Sequence, residues 1–350
     1  TGDSPITGVT GKGYFLNTTA GVITLNLPAG AAGSIVSMAD YAGTWQTYNV
    51  TISPNGTDKI GGLNSNTTLN TEGQSVTFVF VDSTQGWINT MDSTSNVRGE
   101  TFVAATVSGA CNTLATSPDC ANTKIATFVG PGTFCVSTVN ATPTNNVVSY
   151  MVVAGGGGGG ARAAAGAGAG GFREYKSPVT PYTASPLDGN PCGTAITVTA
   201  SPYPIVVGGG GAGGTPGSQE TPGSKGATST FSTIDSAGGG SGKGGCVCTP
   251  RAPLANGGSG GGGGPGSDVP MNVAGTGNTP PTTPSQGNNG GANPSGALFN
   301  GAGGGGAGAV GQNAAPASPA AGGVGVSTSI SASPVFYAGG GGGGSWPGPN

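Results

Sequence analysis

Met151–Gly160 reads MVVAGGGGGG, a short apolar run that empties into six consecutive glycines. The device returns as IVVGGGGAGG at Ile205–Gly214 and as VFYAGGGGGG at Val335–Gly344, and further glycine runs lie at 166–171, 260–264 and 303–306. One such run alone is a flexible linker, because glycine has the most backbone entropy to lose on ordering. Many runs, several entered from β-like apolar segments that need burial, fit another use of glycine. That use is the polyproline-II backbone, a left-handed helix with three residues per turn and no internal hydrogen bonds. Without Cβ atoms such helices lie side by side and satisfy one another's N–H and C=O groups laterally. Cα–H···O contacts add small increments. A six-residue run then rises about 19 Å at ~3.1 Å per residue. Residues 151–350 are therefore expected to form a bundle of polyglycine-II helices joined by loops and short β-returns. Gly155, Gly157, Gly160, Gly208, Gly210, Gly304 and Gly341 are its expected scaffold positions.

Composition supports an ordered bundle over a solvated tail. Of the 75 glycines, 58 lie after residue 150, yet that part carries only six Lys/Arg and five Asp/Glu, all dispersed. Disordered tails usually carry high net charge. The whole chain has a net charge of −3 and no histidine. A basic stripe for nucleic acid is missing, and so are the residues of a Ser-His-Asp triad or a His-based metal site. No cofactor, nucleic acid or membrane insertion is expected, since no apolar run approaches the length of a bilayer span. The chain opens on Thr1 rather than Met, as expected of a processed form or a segment of a longer protein. Of six cysteines, Cys111 and Cys120 bracket the polar loop NTLATSPD, and a short disulfide between them is one pairing the spacing allows. Cys246 and Cys248 are too close for a relaxed mutual bridge. Fifteen pairings remain open.

Residues 1–95 read as an antiparallel β-sandwich, with period-two apolar segments at 13–16, 22–27, 34–38, 48–52, 67–69, 75–81 and 86–88 separated by turn chemistry. Trp45 and Trp87 are its expected core anchors. Residues 96–150 read as a β bridging segment, with a strand in TFVAATV at 101–107 and a hairpin at 124–136 turning on Gly130-Pro131-Gly132. Essentially no α-helix is expected.

The ordered set TFVGPGTFCV, VVSYMVVAGGGGGG, GAGGFREYKSPVTPYTASPL, YPIVVGGGGAGG and STFSTIDSAGGG resembles the glycine-rich tail-fibre adhesins of tailed bacteriophages. The closing STSISASPVFYAGGGGGG is similar to that family's last return strand, and the β-rich start resembles a domain that often precedes the glycine bundle in phage fibres. The resemblance implies a virion protein at the tip of a tail fibre. Its partners would be a host surface receptor, an outer-membrane protein or a glycan, and other tail proteins. It also implies a homotrimer, expected to associate mainly through residues 1–150. Where relatives continue into a closing apolar strand, this chain ends at Trp346-Pro-Gly-Pro-Asn350.

Loops on a rigid scaffold are where recognition residues accumulate. The expected exposed contact residues are Glu220, Lys225, Lys243, Arg251, Asp268, Met271 and Trp346. Phe172, Tyr175 and Tyr182 are expected to plug the bundle, and Arg162 to meet carbonyls at the end of the first run. The loops at 215–237 and 267–289 are expected at one common end. Two other classes compete. An ice-binding or structural glycine-rich protein wants a flat, loop-poor face. A polysaccharide-degrading tail spike wants two carboxylates about 5–9.5 Å apart, and Asp40, Asp58, Asp82 and Asp92 show no paired spacing.

Overall fold

Segments that alternate apolar and polar residues can bury one face only, and two sheets of them close a core between those faces. The computed structural model describes residues 2–93, 102–191, 193–215, 221–244, 255–265, 272–294, 300–316, 318 and 320–345. They form two compact units, Thr1–Gly99 and Glu100–Asn350. Among the described residues there is no α-helix, and a 3-10 turn lies at Pro143–Asn146.

The first unit holds β1 (Ile6–Thr7), β2 (Lys12–Leu16), β3 (Ile23–Asn26), β4 (Ile35–Asp40), β5 (Val50–Ser53), β6 (Thr67–Leu69), β7 (Ser75–Asp82) and β8 (Gly86–Ser93). One sheet is ordered β1-β3-β5-β6 and the other β2-β4-β7-β8. The sandwich is mixed rather than antiparallel: β1–β3, β3–β5 and β2–β4 are parallel pairs. The cause is the winding, since β1 to β5 alternate between sheets. Each strand therefore meets the next but one running the same way. A single core holds side chains from both sheets, among them Leu25, Val36, Ile52, Val76, Phe78 and Phe80. Trp45 and Trp87 are fully buried in it. The Trp45 indole donates to the Leu16 carbonyl at 3.3 Å, and Trp87 packs edge-on against Phe80 with ring centroids 5.6 Å apart. The carboxylate of Asp40 is also buried, accepting from the backbone N–H groups of Ala42, Thr44, Trp45 and Gly73.

The second unit contains β9 (Ala104–Val107), β10 (Thr113–Ser117), β11 (Cys120–Thr127), β12 (Gly132–Thr138), β13 (Val147–Val148), β14 (Tyr150–Val153), β15 (Phe172–Tyr175), β16 (Ile196–Thr197), β17 (Pro202–Val206), β18 (Ser229–Phe231), β19 (Ile234–Ser236), β20 (Val326–Thr328) and β21 (Val335–Tyr337). The described part of 96–150 is not a separate bridge, because β12 pairs with β17 inside a five-stranded sheet ordered β19-β18-β17-β12-β9. The hairpin expected at 124–136 does not form. Instead β11 pairs with β10, while β12 joins β9 and β17. Gly132 serves close approach rather than a reversal, since a Cβ there would lie 2.1 Å from the Ser108 carbonyl oxygen. The Cys111–Cys120 disulfide is likewise not formed, and Cys111, Cys120 and Cys135 are free thiols. The register explains why. Ser117 pairs with Cys120 at one end of the β10–β11 hairpin, whereas Cys111 precedes the Thr113–Thr127 pair at the other end.

Beyond β14 the chain becomes a bundle of extended passes, and its hydrogen bonds step by three residues. Residues 154, 157 and 160 donate to the carbonyls of 171, 168 and 165, while 155, 158 and 161 donate to those of 227, 224 and 221. Gly239 and Gly242 in turn donate to the carbonyls of 155 and 158. A period of three in lateral backbone bonds is the mark of the polyproline-II backbone. Pass 164–171 lies at the centre, bonded to passes 154–161, 237–244, 257–264, 300–307 and 338–345. Five of the seven expected scaffold glycines have no room for a side chain. A Cβ on Gly155, Gly157, Gly160, Gly208 or Gly304 would stand 1.9–2.5 Å from a neighbour's carbonyl oxygen. Gly341 is tight at 3.3 Å, whereas Gly210 faces outward with its nearest atom at 3.7 Å. The apolar leads are gathered at one end of the passes. Tyr150, Val152, Tyr175, Ile196 and Ile234 share one cluster, and Phe172 packs with Ala307 and Val326 in another.

Candidate functional site

A polyproline-II pass offers backbone groups to its neighbours along its length, but at its ends those groups need other partners. The two ends of the bundle meet that need differently. At the end that carries β14–β15, β18–β19 and β20–β21, the chain turns through strands and ordered loops. Gln286 is fully buried there, accepting from the N–H of Ala237 and donating to the Pro280 carbonyl. Glu174, also buried, accepts from the Thr328 hydroxyl at 2.6 Å and from the N–H of Ser185 at 2.8 Å. Beside it sits Tyr182. Burial, then the charge of Glu174, pushes its phenol well above the ordinary value of 10.0.

At the opposite end lie the pass ends near residues 215, 244, 265, 294, 316 and 345. Side-chain amides brace that end. Asn293 is fully buried and donates to the carbonyls of Gly264 and Asn300. Asn300 donates onward to the carbonyls of Ala315 and Pro316 at 2.7 and 3.1 Å. Lys243 is buried as well, its ammonium donating to the Val273 carbonyl at 2.6 Å, and desolvation lowers its pKa from the usual 10.5. Three or more pass ends are thus tied together by donors reaching across them, which suits a platform that holds those ends at fixed spacing.

A family model described as a glycine-rich domain matches residues 128–350. The chain belongs to that family. No curated protein matches the sequence at a significant level. Within this glycine-rich domain, the candidate contact residues fall as follows. Lys225 is exposed on pass 221–228, as expected. Lys243 is not exposed: its stem is packed among glycine passes that have no side chains to push it out, so it belongs to the bracing rather than to a contact surface. Glu220, Arg251, Asp268, Met271 and Trp346 lie outside the described residues, as do Cys192, Cys246 and Cys248.

The segments 215–237 and 267–289 are not single loops at one end. Each contains a pass, 221–228 and 272–278, so each reverses once at either end. Sequence reasoning missed these passes because TPGSKGAT and NVAGTGN are not glycine runs. A signal was present in the first: Gly223 and Gly226 are three apart, and a Cβ on either would fall 1.9–2.0 Å from the carbonyl oxygens of Gly158 or Gly155. Asn293 and Asn300 were missed too, since an asparagine in a polar stretch reads as solvated.

Proposed function

We propose that this chain is a bacteriophage tail-fibre adhesin that recognises a receptor on the host bacterial surface. The observation that carries the reading is the gathering of pass ends at one braced end of a stiff bundle, opposite the β-structured end. Connections held at fixed points on a rigid scaffold vary in sequence without disturbing what lies beneath, and recognition belongs there. Glu220, Arg251, Asp268 and Met271 belong to these connections, and Trp346 follows the last pass. The resemblance of the ordered glycine motifs to phage tip adhesins supports the same assignment, and with it a place in the virion. The receptor is an outer-membrane protein or a glycan.

The test is an exchange. The connections between 215 and 221, 244 and 255, and 265 and 272 are replaced together by those of a related adhesin of different host range. Adsorption should follow the connections while virion assembly and the melting temperature stay unchanged. Adsorption that followed residues 1–93 instead would move receptor recognition to the first unit and leave the bundle as a spacer.

A further inference from the structure

A threefold extended helix sends its N–H groups to three sides and its C=O groups to three others, so a fully enclosed pass has about six neighbours. The central pass 164–171 has five of them, and the side between 154–161 and 338–345 holds no described pass. That open side is marked by polar groups. Successive residues of the pass donate to 237–244 or to 300–307, but the N–H groups of Ala167 and Gly170, three apart on the remaining side, donate to no described residue. Both residues are buried, Ala167 at 8% exposure. Buried backbone donors without a partner are rare in native proteins.

A second, independent observation concerns the passes around this slot. Most glycines of the bundle are required by a neighbour's backbone, but several here are not. A Cβ on Gly159 or Gly209 would meet no atom within 4 Å. On Gly156, Gly210, Gly213, Gly339 or Gly342 its nearest contact would lie at 3.6–3.9 Å, an ordinary distance. The exposed side of pass 221–228 carries Ser224 and Lys225 instead. Glycine here keeps a surface free of side chains that the chain's own packing does not oblige to be bare.

The geometry points to a second copy of this chain docking on this face, its own pass 338–345 lying in the slot beside 164–171. The fit is self-complementary: one surface offers both the open position and, next to it, a bare glycine ridge of the kind that position takes. Such a surface pairs with itself about a two-fold axis. The incoming ridge meets the N–H groups of Ala167 and Gly170 with carbonyl oxygens, as 338–345 already meets the carbonyls of Ala164 and Ala167 with the N–H groups of Gly344 and Gly341.

Light scattering of the intact chain, with Gly156→Leu/Gly159→Leu as the blocking variant, tests this. The Cβ that the first substitution adds lies 3.9 Å from Gly168 and Gly170, so the new side chain covers the slot without forcing the bundle apart. The single variant Gly159→Leu is the milder control. The wild type is expected at twice the mass of the double variant whatever other association the chain undergoes, and amide exchange at Ala167 and Gly170 should accelerate at least tenfold when pairing is lost. Equal masses for wild type and folded variants overturn the proposal. So does protection of the Ala167 and Gly170 amides that is unchanged in Gly159→Leu at half the wild-type mass, which would assign the slot to ordered water.

Discussion

The two units reach an all-β architecture by opposite means. In the first unit, side chains make the core: Trp45, Trp87, Leu25 and Ile52 fill the space between two sheets, and the backbone supplies the frame. In the second, the backbone fills its own interior, and the largest buried side chains along the central pass are alanine methyls. Hydrophobic burial scales with apolar area removed from water, so the first unit is soft to truncation and tolerant of addition at its surface. The glycine bundle inverts this. Little can be removed from it, and almost any addition inside it collides with a carbonyl.

The sharpest way to break the comparison is to add a side chain where the bundle has none. A Cβ on Gly157 would stand 2.2 Å from the Gly240 carbonyl oxygen. Gly157→Val should therefore destabilise the second unit by about 5 kcal/mol or more, at the extreme of single substitutions. Amide exchange should show the passes unprotected and β2–β8 unaffected. Gly209→Val, on the open face, should leave both units as they are. Equal tolerance at the two glycines would return the runs to flexible linkers.

The complementary change removes a side chain from the first unit. Trp45→Ala empties a fully buried site and removes the indole's bond to the Leu16 carbonyl, which keeps the Tyr41 N–H, for an expected loss of about 3–5 kcal/mol. Chemical denaturation followed by Trp87 fluorescence measures it. No alanine substitution at an exposed glycine of the bundle should approach that size.

How far the sequence disclosed these contrasts depends on what kind of contact sets each feature. Period-two burial in β7 was legible, because Val76, Phe78 and Phe80 share a face whatever their neighbours are. The parallel pairing of β2 with β4 was not, since alternation names the buried face and not the adjacent strand. Polyglycine runs announced the passes 154–161 and 338–345. Pass 221–228 stayed hidden because only its inward positions need glycine, and its outward ones carry Ser224 and Lys225. The bracing end was the least legible part. Lys243 and Asn300 look like surface residues until the passes around them prove to have no side chains of their own.

A smaller effect tests that bracing. Asn300→Ala removes the donor shared by the Ala315 and Pro316 carbonyls and leaves both to find water. Losing hydrogen bonds of this kind costs about 1–3 kcal/mol. Exchange should quicken in 300–307 and 309–315 while the β-structured end keeps its protection. Uniform loss across the unit would mean that the two ends are not braced separately.

The smallest expected effect is a slope. Desolvation holds the pKa of Lys243 below its usual 10.5, so the folded chain gives up that proton at a lower pH than the unfolded chain does. Between the two values the unfolded state binds more protons, and stability rises with pH by at most about 1.4 kcal/mol per unit. Tyr182 and Tyr150 act in the opposite sense. Burial raises both phenols, so above 10.0 the unfolded chain ionises first and stability falls as pH rises further. The rise must therefore be read below pH 10.0, as the difference between wild type and Lys243→Met in denaturation midpoints of the second unit. The variant should lack the upward slope that the wild type shows. Identical slopes would mean that the ammonium keeps its proton through this range, held by the carbonyls it braces more strongly than burial weakens it.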